Sequence, residues 1–232
     1  MEKLVMPLWR PDGCAGDQFR DTLLTLAGAE LGALPAIRAL RLAVVDSTVA
    51  PAEGKRMDSF GDLPDAVLSL WLDSVTDLSS LKDILDTVVL KSTAYLVTES
   101  EQLVNHESPD ASGRLPGFCQ VVFLQRPEEL EEAVWLDVWQ GSHTAIAIET
   151  QSTFAYRQNV IVRALSEGAA PYSAMIEESF PLAAMTSDHV FYDAPDDEAL
   201  QKNMTAMMES CARFIDFQRI DVIPMSEYLI PA

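Results

Sequence analysis

One histidine and two tryptophans have the spacing of a helical surface that could bind and transform a small molecule. Trp135, Trp139 and His143 follow one another at intervals of four residues, so on an α-helix they lie along one side. Such an aromatic wall suits a flat hydrophobic ligand, and an imidazole at its end can accept or donate a proton near neutral pH. The alternative is structural, with His143 capping or packing the helix end beside Gly141. The spacing thus makes His143 a candidate acid or base.

Three further side chains could line the same site. Tyr156 and Asn159 are three residues apart in a predicted strand, and the alternation of a strand sends them to opposite faces, so at most one of them lines a given pocket. His189 lies in another predicted strand, where it faces either a seam of the sheet or the pocket. A structural role is the simpler interpretation for each of the three.

Other common chemistries lack their motifs. His143 and His189 have no nearby pair of carboxylates at ligand spacing, so we expect no metal. The sequence contains no Gly-rich phosphate loop, no Gly-x-Ser-x-Gly and no His-Glu-x-x-His, which argues against nucleotide, esterase and zinc-protease chemistry. Cys14, Cys119 and Cys211 are widely spaced and odd in number, so they indicate reduced cysteines rather than disulfides or a zinc site.

Charge and hydropathy exclude two classes of partner. The sequence has 16 basic and 36 acidic residues and a net charge of −20, whereas nucleic acids and anionic membrane surfaces require clustered Lys and Arg. No apolar run approaches the roughly 18 residues of a membrane helix, and the first residues do not resemble a secretion signal. We therefore expect a cytoplasmic protein that binds neither nucleic acid nor membranes.

The elements that must position these residues occur twice in the same order. Each half reads strand, helix, strand, strand, helix, strand. The predicted strands are 3–10, 37–46, 66–73 and 93–98 in the first half, and 119–126, 154–165, 188–193 and 219–223 in the second. The predicted helices are 17–31, 78–90, 128–140 and 196–214. The order βαββαβ is that of a ferredoxin-like repeat, so the fold class is α+β.

A polar segment rich in Ser, Pro and Gly, residues 105–116, separates the halves and has the composition of a linker. The predicted units are a first repeat, 1–104, and a second repeat, 117–232. The second repeat carries an apparent insertion at 167–186, which we interpret as a partly ordered flap because segments of that length are often lids.

Two such repeats are expected to pack against each other. A four-stranded sheet with helices on one face must cover the other face, and two sheets placed face to face close a barrel. The sequence therefore predicts an intrachain dimeric α/β-barrel. Such a chain is either a monomer, as a pseudo-dimer, or a homodimer through its outer surface.

Several stretches together resemble the EthD family, named for ethyl tert-butyl ether degradation, which belongs to the dimeric α/β-barrel group. They are WQGSH at 139–143, YRQN at 156–159, DAVLSLWLDS at 65–74 and VTE at 97–99. The family pattern has an Arg-Pro-like end to the first strand, a Trp-x-x-x-His at the end of the first helix and an aromatic-Asp third strand. Arg126, Trp139 and His143 match this pattern. The first half retains Arg10 but has neither the Trp nor the His, so the resemblance implies one site, in 117–232.

The resemblance and the residues lead to one hypothesis and two rivals. The hypothesis is a cofactor-independent enzyme that acts on a small hydrophobic molecule, aromatic or polyketide-like, by proton transfer or oxidation, with His143 as acid or base. One rival is a non-catalytic carrier of a hydrophobic compound. The other is a degenerate scaffold, in which Trp135 and Trp139 fill the site themselves.

Overall fold

The chain folds into an antiparallel barrel with helices on its outer surface. The computed structural model describes residues 1–76 and 78–231, so Ala232, the last residue of the predicted second unit, lies outside the described residues. Their strands are β1 (Glu2–Trp9), β2 (Ile37–Val44), β3 (Ala66–Leu72), β4 (Lys91–Ser92), β5 (Tyr95–Leu103), β6 (Phe118–Leu124), β7 (Ala155–Ala164), β8 (Ala174–Phe180) and β9 (Ile220–Ile230). Their α-helices are α1 (Gly16–Leu26), α2 (Ser79–Leu85), α3 (Glu132–Val138), α4 (Thr144–Thr150), α5 (Asp188–Phe191) and α6 (Asp197–Cys211).

Eight of the described strands close the barrel, and every pairing between them is antiparallel. Their order around the barrel is β3-β2-β9-β6-β8-β7-β5-β1, and β1 pairs with β3 to complete the circle. The short strand β4 pairs only with the end of β1. The two halves of the chain meet at two seams, β2 with β9 and β5 with β7. The prediction of an α+β protein built on a barrel is thus confirmed.

Each half of the chain contributes four neighbouring strands in the same relative order. In the first half the order is β2-β3-β1-β5, and in the second it is β7-β8-β6-β9. In both halves the first strand is therefore central, between the third and the fourth. The helices of each half pack on the outer face of its own four strands, so the inner faces of both halves meet inside the barrel.

The first strand, β1, is apolar along most of its length because both of its faces are covered. In β1, Leu4 and Leu8 point outward and pack against Phe19 of α1. Val5 points inward, where it packs with Phe123 and other apolar side chains of the barrel interior. This double burial explains why the first strand appears in the sequence as an apolar run without polar alternation.

The second half corrects one of the predicted strands. Residues 188–193, the predicted third strand, form the short helix α5, whose first turn is capped by the Ser187 side chain accepting from the Val190 amide. The third strand is instead β8, inside the predicted insertion 167–186. The flap interpretation was therefore wrong for residues 174–180, because β8 is buried at every position, including two glutamates that made it look like a surface segment.

The helix predicted at 128–140 is also displaced and longer. It begins at Glu132 and passes through a π-helical turn, Trp139–His143, into α4, which ends at Thr150. A π turn adds a residue to the helix and changes the direction of the side chains that follow it. His143 is the last residue of that turn, so its orientation depends on a feature that the sequence spacing did not reveal.

The strands at the seams extend beyond their predicted ends. The strands predicted at 93–98 and 219–223 continue to Leu103 and Ile230. These extensions pair with the other half of the chain, so tertiary contacts rather than local propensity hold them. Between the halves, the predicted linker is fastened to β9, where the Leu229 amide donates to the Gly113 carbonyl over 2.8 Å.

None of the helices in the described ranges combines the length and the apolar character needed to cross a lipid bilayer.

Candidate functional site

His143 is enclosed between helices. Its Nδ1 lies 3.0 Å from the Ser210 hydroxyl of α6, and its ring lies 4.6 Å from that of Phe214. Only 3% of the residue is exposed. Burial, with a smaller contribution from the charge of Arg213, lowers the pKa of His143 from 6.5 to about 4. The imidazole is therefore neutral at physiological pH and holds its place between α4 and α6.

The structure brings Trp135, Trp139, Tyr156 and His143 into one layer between the sheet and the helices. The two indole rings are 5.2 Å apart. The Trp135 indole donates to the Phe214 carbonyl over 3.0 Å, and the Trp139 indole donates to the Tyr156 hydroxyl over 3.4 Å. Trp139 and Tyr156 are 0% exposed, so no water-sized space adjoins them. Trp139, Tyr156 and His143 thus fill this layer instead of lining an open pocket.

A buried carboxyl group, Glu178 of β8, lies in the same layer. It is opposite Tyr156 in the strand register and is 5% exposed. Burial raises the pKa of Glu178 to about 8 and, together with the charge of Glu178, raises that of the Cys211 thiol to about 12. Sequence reasoning missed Glu178 because its strand was interpreted as an insertion. A signal did exist, since the segment AMIEESF is apolar apart from its central glutamates.

Asn159 faces the opposite side of the sheet, inside the barrel, as strand alternation requires. Its side-chain oxygen accepts from the Lys3 ammonium over 2.7 Å, and its amide nitrogen donates to Glu177 over 3.1 Å. Lys3 also pairs with Glu99 and lies 3.4 Å from Glu177. The Lys3 and Glu177 side chains are almost completely buried. Asn159 is thus part of a charged network and lies apart from the tryptophans.

That network continues across the barrel and connects the two halves of the chain. Arg157 of β7 pairs with Glu177, at 3.3 Å, and with Glu227 of β9. Arg41 of β2 lies 3.3 Å from the same Glu227. Strong attraction to the two glutamates outweighs the effect of burial and raises the pKa of Arg157 well above its ordinary value. Arg157, Glu177 and Glu227 thus pair with one another, as buried charges require, whereas Nε and Nη1 of Arg41 have no hydrogen-bond partner among the described residues.

His189 is placed elsewhere, on α5. Its Nε2 lies 3.0 Å from an Asp197 carboxylate oxygen at the beginning of α6, and its side chain is partly exposed. No three His, Cys, Asp or Glu side chains converge as metal ligands anywhere in residues 1–76 and 78–231.

A cleft of about 440 Å³ opens where the barrel end meets α3. It includes two of the predicted site residues, Arg126 and Trp135. Two tyrosines that the sequence analysis did not single out, Tyr95 and Tyr172, complete its aromatic walls. Its volume lies within the range of small-molecule sites.

The loop between β7 and β8 builds one wall of this cleft. The Tyr172 ring stacks on Phe123 at 4.7 Å, and its hydroxyl donates to Asp221 over 2.6 Å. The Tyr95 hydroxyl donates to the Ala170 carbonyl over 2.9 Å. Burial raises the pKa of Tyr95 to about 12 and that of Tyr172 still further. Both phenols are therefore protonated and fixed. In the sequence, the signal for Tyr172 was a Pro-Tyr-Ser segment.

Arg126 also lines the cleft, close to the start of α3. Its backbone amide donates to the Ser173 hydroxyl over 3.0 Å, and its guanidinium donates to the Leu130 carbonyl in the turn that precedes α3. The remaining guanidinium donors are not in an ion pair with any described carboxylate. The cleft can therefore offer a ligand both an aromatic ring, that of Tyr172, and a cation.

Comparisons with known proteins identify the fold. No protein-family model matches the sequence, and no curated protein does so either. Among solved structures, an anthrone oxidase-like protein matches with a TM-score of 0.56 and 10% identity, over 99% of this chain and 92% of that one. A proposed monooxygenase from Lactobacillus acidophilus matches with a TM-score of 0.50 and 7% identity, over 99% and 95% of the two chains. One from Fusobacterium nucleatum matches with a TM-score of 0.50 and 8% identity, over 99% and 92%.

These structures share the dimeric α/β-barrel fold, and the described chain has that fold within a single polypeptide. At such identities the likeness concerns the fold alone. The narrower EthD resemblance stays a prediction.

Proposed function

We propose that this chain is an EthD-like protein that binds a small aromatic molecule in the cleft between Arg126 and Tyr172 and acts on it without a cofactor, by proton transfer or oxidation. The observation that supports this proposal most is the cleft, of about 440 Å³. Its lining includes Tyr172, which is partly exposed, and Tyr95 and Trp135, of which only 1% is exposed. The likeness in fold to anthrone oxidase-like and proposed monooxygenase proteins supports the reaction class.

We further propose that residues 1–104 and 117–232 are two ferredoxin-like repeats that form the barrel as an internal pseudo-dimer. The identical strand order in the two halves supports this division. The site belongs to the second repeat, with one wall, at Tyr95, supplied by the first.

The role of His143 in catalysis depends on opening of the helical layer. A neutral imidazole with a lowered pKa can act as a base. However, His143 does not line the cleft, and Ser210 and Phe214 cover it. A catalytic His143 therefore requires that α6 move when the ligand binds.

The second candidate is a carrier without chemistry. The tyrosines of the cleft favour this candidate. Their raised pKa values keep both phenols protonated, so neither tyrosine is ready to act as a base. A scaffold without any ligand is favoured only by the filled layer around Trp139.

The test compares ligand binding and turnover in four proteins. Wild type, Ala170→Trp, which fills the cleft, Ala111→Trp, an equal change on the exposed linker, and His143→Gln are screened by thermal shift against small aromatic and polyketide-like compounds. Products are followed by mass spectrometry. We expect hits to stabilise wild type and Ala111→Trp but not Ala170→Trp, because only the latter obstructs the cleft.

The outcomes separate the candidates. Turnover that disappears in His143→Gln while binding persists supports His143 as acid or base, whereas persistent turnover removes it from the mechanism. Binding without turnover in wild type indicates a carrier. Equal binding to wild type and Ala170→Trp refutes the cleft as the site, and absence of any hit leaves the scaffold as the better description.

A further inference from the structure

The cleft carries an unusual charge for this protein. The chain has 36 acidic and 16 basic residues, so an average surface region is negative. The titratable groups of the cleft nevertheless include two arginines, Arg126 and Arg163, and only one carboxylate, Glu132, besides the protonated tyrosines. The cleft is therefore locally positive on a negative protein.

Both arginines are free of ion pairs among the described residues. Eleven of the 16 basic side chains pair with a described carboxylate. Arg126 and Arg163 do not, although acids outnumber bases by more than two to one. Arg126 donates only to the Leu130 carbonyl through its side chain, and Arg163 lies at the exposed end of β7. Their charges are available to a ligand.

The tyrosines of the cleft offer a ligand their rings rather than hydrogen-bond donors. The Tyr95 and Tyr172 hydroxyls are already committed to Ala170 and Asp221. What remains is aromatic and aliphatic surface, to which Ile161 and Pro171 contribute. A ligand that uses both features of the cleft has an aromatic ring at Tyr172 and a negative group at the arginines.

We infer that the ligand of this cleft is an aromatic acid, whose carboxylate or phenolate is recognised by Arg126 and Arg163 while its ring packs against Tyr172. This inference rests on the proposed function and specifies the class of its ligand. Arginine suits the role because its planar fork matches a carboxylate with two parallel hydrogen bonds.

The experiment uses isothermal titration calorimetry with matched probes on the full chain. The probes are 2-naphthoate and its neutral methyl ester, with 2-naphthol titrated below and above its own pKa to test a phenolate. The variants are Arg126→Gln, Arg163→Gln and, as the control, Lys202→Gln, which removes the same charge from an exposed residue of α6. Arg163 is exposed, so its variant keeps the inference testable even if Arg126→Gln fails to fold.

We expect wild type to bind 2-naphthoate at least about tenfold more tightly than the ester, the factor that one charge-assisted hydrogen bond provides. In each arginine variant the ratio of the affinities for 2-naphthoate and for its ester should fall by about tenfold, or to one. In Lys202→Gln this ratio should stay as in wild type. Added salt should weaken binding of the acid and leave the ester unchanged.

Failure of the inference differs from failure of the proposed function. If acid and ester bind wild type equally, and Ala170→Trp abolishes both, the cleft is a neutral aromatic site and the inference is refuted while the proposed function stands. If Ala170→Trp leaves binding unchanged, or no probe binds wild type, both are refuted.

Discussion

Replacement of Glu178 by Gln should stabilise the protein, and by an amount that grows with pH. The folded chain buries the Glu178 carboxyl beside Tyr156, where burial raises its pKa from 4.5 to about 8. In the unfolded chain the same group loses its proton above about pH 4.5. The folded state therefore binds a proton that the unfolded state releases, and the free energy of unfolding falls as pH rises between the two pKa values.

The magnitude follows from the size of the shift. Each pH unit between about 4.5 and 8 lowers the free energy of unfolding of wild type by about 1.4 kcal/mol. Gln carries no charge at any of these pH values, so Glu178→Gln does not lose free energy of unfolding in this way. Relative to wild type, Glu178→Gln should gain nothing near pH 4.5, about 3 kcal/mol at pH 7 and about 5 kcal/mol above pH 8.

The assay is urea unfolding followed by tryptophan fluorescence, at several values of pH across this range. The control is Glu107→Gln, which removes an exposed carboxylate from the segment between the halves. A difference between variant and wild type that stays constant with pH would contradict the reasoning, because packing effects of the amide do not titrate. Only the slope identifies a buried carboxyl that is protonated in the folded state.

Three other substitutions test the layer and the barrel. The free energy of unfolding of wild type should fall by about 2 kcal/mol when pH falls from 6.5 to about 5, because the imidazole gains its proton more readily in the unfolded chain. His143→Gln should lack this loss, and urea titrations at both pH values measure it. Trp139→Ala should lower the free energy of unfolding by about 3–5 kcal/mol because it leaves a cavity, and Trp139→Phe should lower it by less. Equal losses in the two variants would refute tight packing around Trp139. Lys3→Met should lower the free energy of unfolding by at least about 3 kcal/mol, because it leaves Glu177 without one of its charge partners. Adding Glu177→Gln should recover part of this loss, and a double-mutant cycle measures the recovery.

The fold could be predicted from sequence to the extent that its segments are apolar and short. The segment of β3 stands out because it is apolar apart from Ser69, and the predicted bounds of β2 and β3 nearly match the observed ones. β8 was missed, since its glutamates resemble a solvent-exposed face until their partners are known. The partners of Glu177 are Arg157 and Lys3, and Lys3 is 174 residues away in sequence.

The candidate site shows the same limit. Trp135 and Trp139 share one side of the helix and pack in one cluster, as their spacing predicts, whereas His143 ends a π turn that the spacing does not reveal. Whether this side is open depends on what covers it. The cover includes Ser210, 67 residues later, and no periodicity within the helix carries that information.

Closure of the barrel within one polypeptide also removes a constraint of symmetry. In a barrel assembled from two identical subunits, every substitution appears twice, so a lysine introduced into the interior would bring a second lysine with it. Here Lys3 faces Glu177 without a duplicate, and the seams join strands of different sequence. Each half can therefore accumulate changes independently, one shaping a cleft and the other supporting it. Within residues 1–76 and 78–231, the closed ring leaves no long strand edge along which molecules could polymerise.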